Sequence, residues 1–287
     1  MIWQTTRYAV DLSRPQVMGI VNITPDSFSD PGAHASTRAA LLHCEQLIKD
    51  GASILDLGGE STRPGAVPVS LDEELARLLP VLREAAKLGV PLSVDTYKPR
   101  VMQAALDLGA DIVNDVWALR WSDPADPLDG RQLVAQHPNC GVCLMHMHGE
   151  PRTMQISPME GDVLPAVLAF LHEAGQALQS LGVARQRIVL DPGIGFGKTV
   201  AQNFSLLARQ GELLAAGYPL LAGWSRKSSL GAVASLPAGS TAPAGQHERM
   251  APSVAAALLA VERGAAIVRV HDVRETVQAL KVLDAIK

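Results

Sequence analysis

Residues 37–57, TRAALLHCEQLIKDGASILDL, read as one complete structural unit. Residues 37–49 place apolar side chains at helical spacing, and Gly51 supplies a stop just beyond them. The run that follows, 53–57 (SILDL), is short and aliphatic, as a strand covered on both faces should be. The unit recurs along the chain. Strand candidates stand at 17–22 (VMGIVN), 53–57, 91–95 (PLSVD), 111–114 (DIVN), 141–146 (GVCLMH), 187–191 (RIVLD), 219–223 (PLLAG) and 266–270 (AIVRV). Helical patterns at 71–88, 99–108, 164–181 and 250–263 each end just before a glycine, and a last one closes the chain at 273–286. The strands show no clean polar–apolar alternation, which fits burial on both faces. Eight strands alternating with helices imply parallel pairing through right-handed crossovers. The expected fold is α/β: a (β/α)8 TIM barrel, a single domain over 1–287, with its active site at the C-terminal ends of the strands. The alternative, an open doubly wound sheet, lacks its G-x-G-x-x-G after the first strand.

Composition agrees. At 287 residues and 47% hydrophobic the chain can bury a large core, and with 4% aromatics that core must be aliphatic. The net charge of −4 is spread over both signs, with no basic block for nucleic acid and no acidic tail. No run approaches the roughly 20 apolar residues of a membrane span. The start, MIWQTTRYAVDLS, has neither the charged region nor the apolar run of a signal peptide. Three cysteines cannot pair evenly, and the C-x-x-C at Cys140 and Cys143 lies in an apolar run, so core packing in a reducing cytoplasm is expected.

The carboxyl ends of the strands carry the chemistry. They present Asn22, then Asp56, Asp95, Asn114 and Asp115, then Met145, His146 and His148, then Asp191, then Ser225, Arg226 and Lys227, and last Arg269 and His271. Asp and Asn often just start turns, but a whole set at one repeated position converges on one mouth in a barrel. Asp95, Asn114 and Asp191 suit a nitrogen-rich ring; Arg63, Lys227, Arg269 and His271 suit phosphate oxygens. Asn22 can give Mg2+ an oxygen ligand, the remainder coming from substrate phosphates. The longest loops, 23–36, 58–70 and 225–248, are candidate lids over this rim.

Two motifs invite other readings. Residues 192–199, PGIGFGKT, approach a nucleoside-triphosphate loop, but Pro192 stands where the pattern needs glycine. Its glycines are expected to bring the backbone close to a ligand beside Asp191, with Phe196 stacking on it. His146 and His148 share a strand face at metal spacing, yet no carboxylate third ligand accompanies them.

Five stretches then resemble one known family: MGIVNITPDSFSD (18–30), DLGGESTRPGA (56–66), LDPGIGFGKT (190–199), GWSRKS (223–228) and RVHDV (269–273) are similar to the dihydropteroate synthases. The resemblance runs in order over nearly the whole chain and implies the barrel reached above. It also implies condensation of 6-hydroxymethyl-7,8-dihydropterin pyrophosphate with p-aminobenzoate to 7,8-dihydropteroate and pyrophosphate, in the cytoplasm, with Mg2+. By this resemblance Asp95, Asn114, Asp191 and Lys227 hold the pterin, and Met145 and Phe196 line its slot. Asn22, Thr62, Arg63, Arg269 and His271 hold pyrophosphate, with Mg2+ at Asn22. Phe28, Thr62, Pro64 and Ser228 shape the p-aminobenzoate site. Asp95, Lys227 and Arg63 are the expected catalytic residues. The partners implied are these small molecules and a second copy in a homodimer, and sulfonamides are expected inhibitors. The sequence departs from the family at Pro31, where Gly-Gly is common, and at Trp224, where a smaller residue is common; both bear on loop behaviour. A methyltetrahydrofolate:corrinoid methyltransferase-like enzyme would not need the Thr62, Arg63, Lys227, Arg269 and His271 set, and a silent pterin-binding paralogue should have lost part of it.

Overall fold

The computed structural model describes residues 1–24, 33–62, 65–234 and 249–286, the side chains of 33–36 excepted. Eight strands close into a parallel barrel: β3 (Gln16–Asn22), β4 (Ile54–Gly58), β5 (Leu92–Asp95), β6 (Ile112–Asp115), β7 (Gly141–Met145), β8 (Ile188–Asp191), β9 (Leu220–Ala222) and β10 (Ala265–Val270). They neighbour one another in sequence order, and β10 closes on β3 through Val268 beside Val17 and Arg269 beside Met18. The expected strands are all present, with no end shifted by more than one residue.

Helices cover the outside. The expected ones are α1 (Ala33–Lys49), α2 (Leu71–Ala85), α3 (Pro99–Asp107), α5 (Leu164–Ser180), α8 (Met250–Glu262) and α9 (Val273–Asp284). Ser70 caps α2 by accepting from the Glu73 N–H, and Asp72, Glu73 and Glu74 complement the positive end of its dipole. Its inner face buries Leu78, Val81 and Leu82, each worth about 1.5–3 kcal/mol. At the far end of α1 the backbone turns at Gly51, whose φ of 104° a side chain rarely tolerates. Among the described residues three short α-helices join them: α4 (Gly130–Gln136), α6 (Val200–Ala208) and α7 (Ser228–Ala234). Among the described residues no helix is long and apolar enough to cross a membrane.

The strands do alternate, but between two buried sides. One set, including Leu55, Leu57, Val94 and Leu144, packs under the helices. The other set, Met18, Ile54, Ile112, Cys143, Val189, Leu221 and Ile267, one from each of seven strands, fills the barrel interior. The eighth strand contributes Ser93, fully buried with an unpartnered hydroxyl. Cys140 and Cys143 fall into the two different sets, and all three cysteines are free and buried.

The sequence reading missed a hairpin that closes the floor. β1 (Ile2–Gln4) pairs antiparallel with β2 (Ala9–Asp11). It sends Trp3, Val10 and Leu12 into the interior apolar cluster. The Trp3 indole N–H donates to the Arg187 carbonyl at 2.9 Å. Arg187, itself buried, donates to the carbonyls of Cys140 at 2.8 Å and Val134 at 2.6 Å. Arg7 forks onto the buried Asp111 through Nε at 3.0 Å and Nη2 at 2.6 Å.

Candidate active site at the strand ends

Two residues beyond the apolar interior layer, the strands change chemistry. Ile54 is followed at that interval by Asp56, Ser93 by Asp95, Ile112 by Asn114, Cys143 by Met145, Val189 by Asp191 and Ile267 by Arg269. Period-two geometry keeps both members of each pair on the inner side. A second, polar layer therefore lies directly on the apolar one, and a cavity of about 350 Å3 opens above it. Asn22, Thr62, Asp95, Phe196, Lys227, Ser228, Arg269 and His271, all expected site residues, line that cavity. Asn114, Met145 and Asp191 stand in the layer beneath or beside it. The expected Phe28, Arg63 and Pro64, and the departure at Pro31, lie outside the described residues.

The ring zone and the phosphate zone inferred from sequence meet at Arg269. Its Nε donates to Asp56 Oδ2 at 2.6 Å and its Nη2 to Asp95 Oδ2 at 2.5 Å. Asn114 Nδ2 donates to the same Asp56 oxygen at 3.2 Å. Asp56 is thus the hub of the layer, a part the sequence reading did not give it although it set Asp56 among the residues of the mouth. The second carboxylate oxygens of Asp56 and Asp95 are buried without a partner, a cost that ring N–H donors would offset. Burial pushes the Asp95 carboxyl up to about 7; Arg269 pulls it down, and Asp56 pushes it further up. Burial also raises Asp191, opposed by the Gly193 N–H at 2.7 Å and by Lys227.

Around this layer the remaining groups are held in place. Lys227 Nζ lies 4.3 Å from the centre of the Phe196 ring, a cation–π contact. Phe196 packs with Met145, Met147, Met154 and Val116 in a small apolar cluster. Ser225 Oγ accepts the His271 backbone N–H at 3.1 Å and lies 2.9 Å from His271 Nδ1. Arg226, at φ 58°, is spent on Asp272, with Nη2–Oδ1 at 2.6 Å. At the rim Glu60 pairs with Lys98 and accepts from Tyr97 Oη at 3.1 Å, while Lys98 also holds Glu74 at 2.6 Å. That buried network anchors the segment carrying Thr62. Glu60 and Ser225 carried no recognisable signal of these roles in the sequence. Trp224, the other departure, is 1% exposed and packs on Phe204 below the site.

His146 and His148 do not form a pair: His146 is buried against Lys198 and His148 is exposed. Among the described residues no group of three His, Cys, Asp or Glu could hold a metal ion. The half-buried Asn22 on the cavity wall remains the oxygen donor that suits Mg2+, an ion that takes few protein ligands and completes its shell from phosphate and water.

Known proteins resemble this chain in sequence and fold. A family model described as pterin binding enzyme matches residues 18–271. A dihydropteroate synthase of Neisseria meningitidis serogroup B is 49% identical, the match covering 99% of this chain and 97% of that protein. The Xanthomonas albilineans dihydropteroate synthase with 4-aminobenzoic acid superposes with a TM-score of 0.87 at 45% identity, covering 100% of this chain and 98% of that one. The Burkholderia cenocepacia dihydropteroate synthase complexed with 7,8-dihydropteroate gives 0.84 at 49% identity, covering 99% and 96%.

Proposed function

The chain belongs to the family of pterin-binding enzymes, and we infer that its reaction is that of the dihydropteroate synthases. It is a transferase of folate biosynthesis that joins 6-hydroxymethyl-7,8-dihydropterin pyrophosphate to p-aminobenzoate, giving 7,8-dihydropteroate and pyrophosphate. The observation that supports this most is the polar layer: three carboxylates and an amide stand under a cavity whose wall carries Lys227, Arg269 and His271.

In this reading Asp95, Asn114, Asp191 and Lys227 bind the ring, and Met145 and Phe196 line its slot. Thr62, Arg63, Arg269 and His271 bind the pyrophosphate with Asn22, and Phe28, Thr62, Pro64 and Ser228 shape the p-aminobenzoate site. The bond between the pterin methylene carbon and the pyrophosphate oxygen breaks, and its electron pair leaves with the oxygen. Arg63, Arg269 and His271 take up that charge. Asp95 stabilises the cationic methylene–pterin left behind. The arylamine lone pair then forms the new C–N bond, and the nitrogen releases a proton. Before substrate binds, Arg269 pairs with both Asp56 and Asp95; the same guanidinium lines the cavity wall and would serve the phosphate afterwards. Mg2+, held through Asn22 and the substrate, would supply further neutralisation of the pyrophosphate.

The decisive assay combines the protein with dihydropterin pyrophosphate, p-aminobenzoate and Mg2+. Pyrophosphate release with dihydropteroate formation is expected, and the absence of both overturns the reading. We also propose a cytoplasmic homodimer. Exposed Leu259 on α8 and Val282 on α9 support a contact between copies, and three buried free cysteines suit a reducing compartment. Light scattering at micromolar concentration checks the stoichiometry.

A further inference from the structure

The phosphate-loop-like stretch is used here in another way. Thr199, which would meet a metal ion in such a loop, caps α6 instead: it accepts from the Gln202 N–H at 3.2 Å, and Gln202 Oε1 accepts the Thr199 N–H at 2.9 Å. Lys198, which would meet a phosphate, turns inward and is 2% exposed. Its Nζ lies 2.9 Å from His146 Nδ1, 2.9 Å from the Gly193 carbonyl and 3.2 Å from the Phe196 carbonyl. An ammonium has three protons, and three acceptors surround it; burial pulls this ammonium down to about 7, with Asp191 opposing the fall and Lys227 adding to it. Burial holds the His146 imidazolium down to about 3, so that ring is neutral and accepts at Nδ1. The ring is itself fixed edge-on to Phe170, centroids 5.0 Å apart.

These contacts join two loops. His146 follows β7; Gly193 and Phe196 follow β8. The loops are packed backbone against backbone: a Cβ at Gly193 would overlap the His146 carbonyl oxygen, and one at Gly197 would overlap that of His148. Gly193 orients Asp191 through its N–H, and Phe196 covers the slot under Lys227. Lys198 does not line the cavity, yet it holds both of these neighbours.

We propose that Lys198 is a positioning residue for the ring slot, its ammonium clamping the loop after β8 onto the loop after β7 so that Asp191 and Phe196 meet the pterin in register. The proposal rests on the pterin reading above. It requires that loss of the clamp weaken ring binding and leave pyrophosphate binding alone, because His271, Arg269 and Asn22 stand on other strands.

The test is calorimetric titration of wild type, Lys198→Met, His146→Phe and His146→Gln with 6-hydroxymethylpterin and, separately, with inorganic pyrophosphate and Mg2+. Lys198→Met is expected to weaken the pterin at least tenfold and to change pyrophosphate less than twofold. In turnover it raises KM for the pterin substrate more than it lowers kcat. His146→Phe, which removes one acceptor and keeps the lysine, weakens the pterin about threefold. His146→Gln restores an acceptor and with it the affinity. Equal losses for both ligands, or unchanged pterin affinity in a folded Lys198→Met protein, overturn the proposal. If Lys198→Met does not fold, unchanged pterin affinity in His146→Phe overturns it. A wild type that binds no pterin overturns the underlying reading instead.

Discussion

The floor of the barrel and its mouth are built from the same eight strands, two residues apart. On the floor, Met18, Ile54, Ile112 and their neighbours form a dry layer sealed from below by Trp3. At the mouth, Asp56, Asp95, Asn114, Asp191 and Arg269 form a layer of interlocked charges, with buried oxygens still wanting partners. Among the described residues the floor leaves one side-chain polar atom without a partner, the neutral Ser93 hydroxyl, while Arg187 collects the carbonyls of Cys140 and Val134. The mouth leaves some unsatisfied, which costs stability and creates binding capacity. The apolar layer makes this workable, since it fixes the strand backbones from which the charged side chains project.

The largest effect should come from breaking the floor. Trp3→Ala is expected to cost about 3–5 kcal/mol of stability, read as a fall in denaturation midpoint, with kcat/KM per folded molecule unchanged. A loss of kcat/KM without a loss of stability would erase the division between the two layers. At the mouth the balance should invert. Asp95→Asn is expected to lower kcat by about 10²-fold, with pterin affinity changed only a few-fold and stability unchanged or higher. Equal losses in kcat and in pterin binding would count against a transition-state role.

A pH series sharpens the same contrast. A carboxyl pushed up to about 7 stays protonated below that pH in the free enzyme. The form that accepts ring N–H bonds and stabilises the cation is the carboxylate. Log kcat/KM should therefore rise with pH up to about 7 and then level, and Asp95→Asn should abolish that limb. The smallest effect is expected from Ser225→Ala. Losing the hydroxyl that fixes the His271 ring removes one hydrogen bond of about 0.5–1.5 kcal/mol. KM for the pyrophosphate substrate should rise by about 2- to 10-fold, with p-aminobenzoate unaffected; a shift in p-aminobenzoate alone would reassign the pair.

The two layers were not equally readable in the sequence. ILDLG, LSVD, IVND and IVLD announce strands, and their polar residues announce a mouth. What they hide is that successive residues enter different buried environments, because Leu, Ile and Val serve both. Only the polar members betray the inner side. Asp56 shows how this misleads: it lies inside β4 rather than at its end, yet it is the residue on which Arg269 and Asn114 converge. The hairpin was hidden by length, since strands of three residues carry no periodicity beyond one alternation. α4 and α7, at seven residues, offer too few turns for a helical pattern to stand out, and α6, no longer than α3, lacks the proline start that marks α3. The site was more legible than its supports. Ring and phosphate ligands sit in long distinctive motifs, whereas Glu60, Lys98 and Lys198 act through partners that the chain brings near only when the barrel closes.

The Trp3–Arg187 contact also bears on the order of assembly. Its partners are 184 residues apart, and the first barrel strand waits for the last, β10, before its edge is paired. During synthesis Trp3 emerges before the barrel strands and finds its acceptor only after the chain as far as Arg187 has followed. Contacts of such sequence separation slow folding, because loop-closure entropy must be paid before they form. The element that seals the barrel is therefore made before the strands it closes and is among the last to settle, and until then the indole lacks its acceptor.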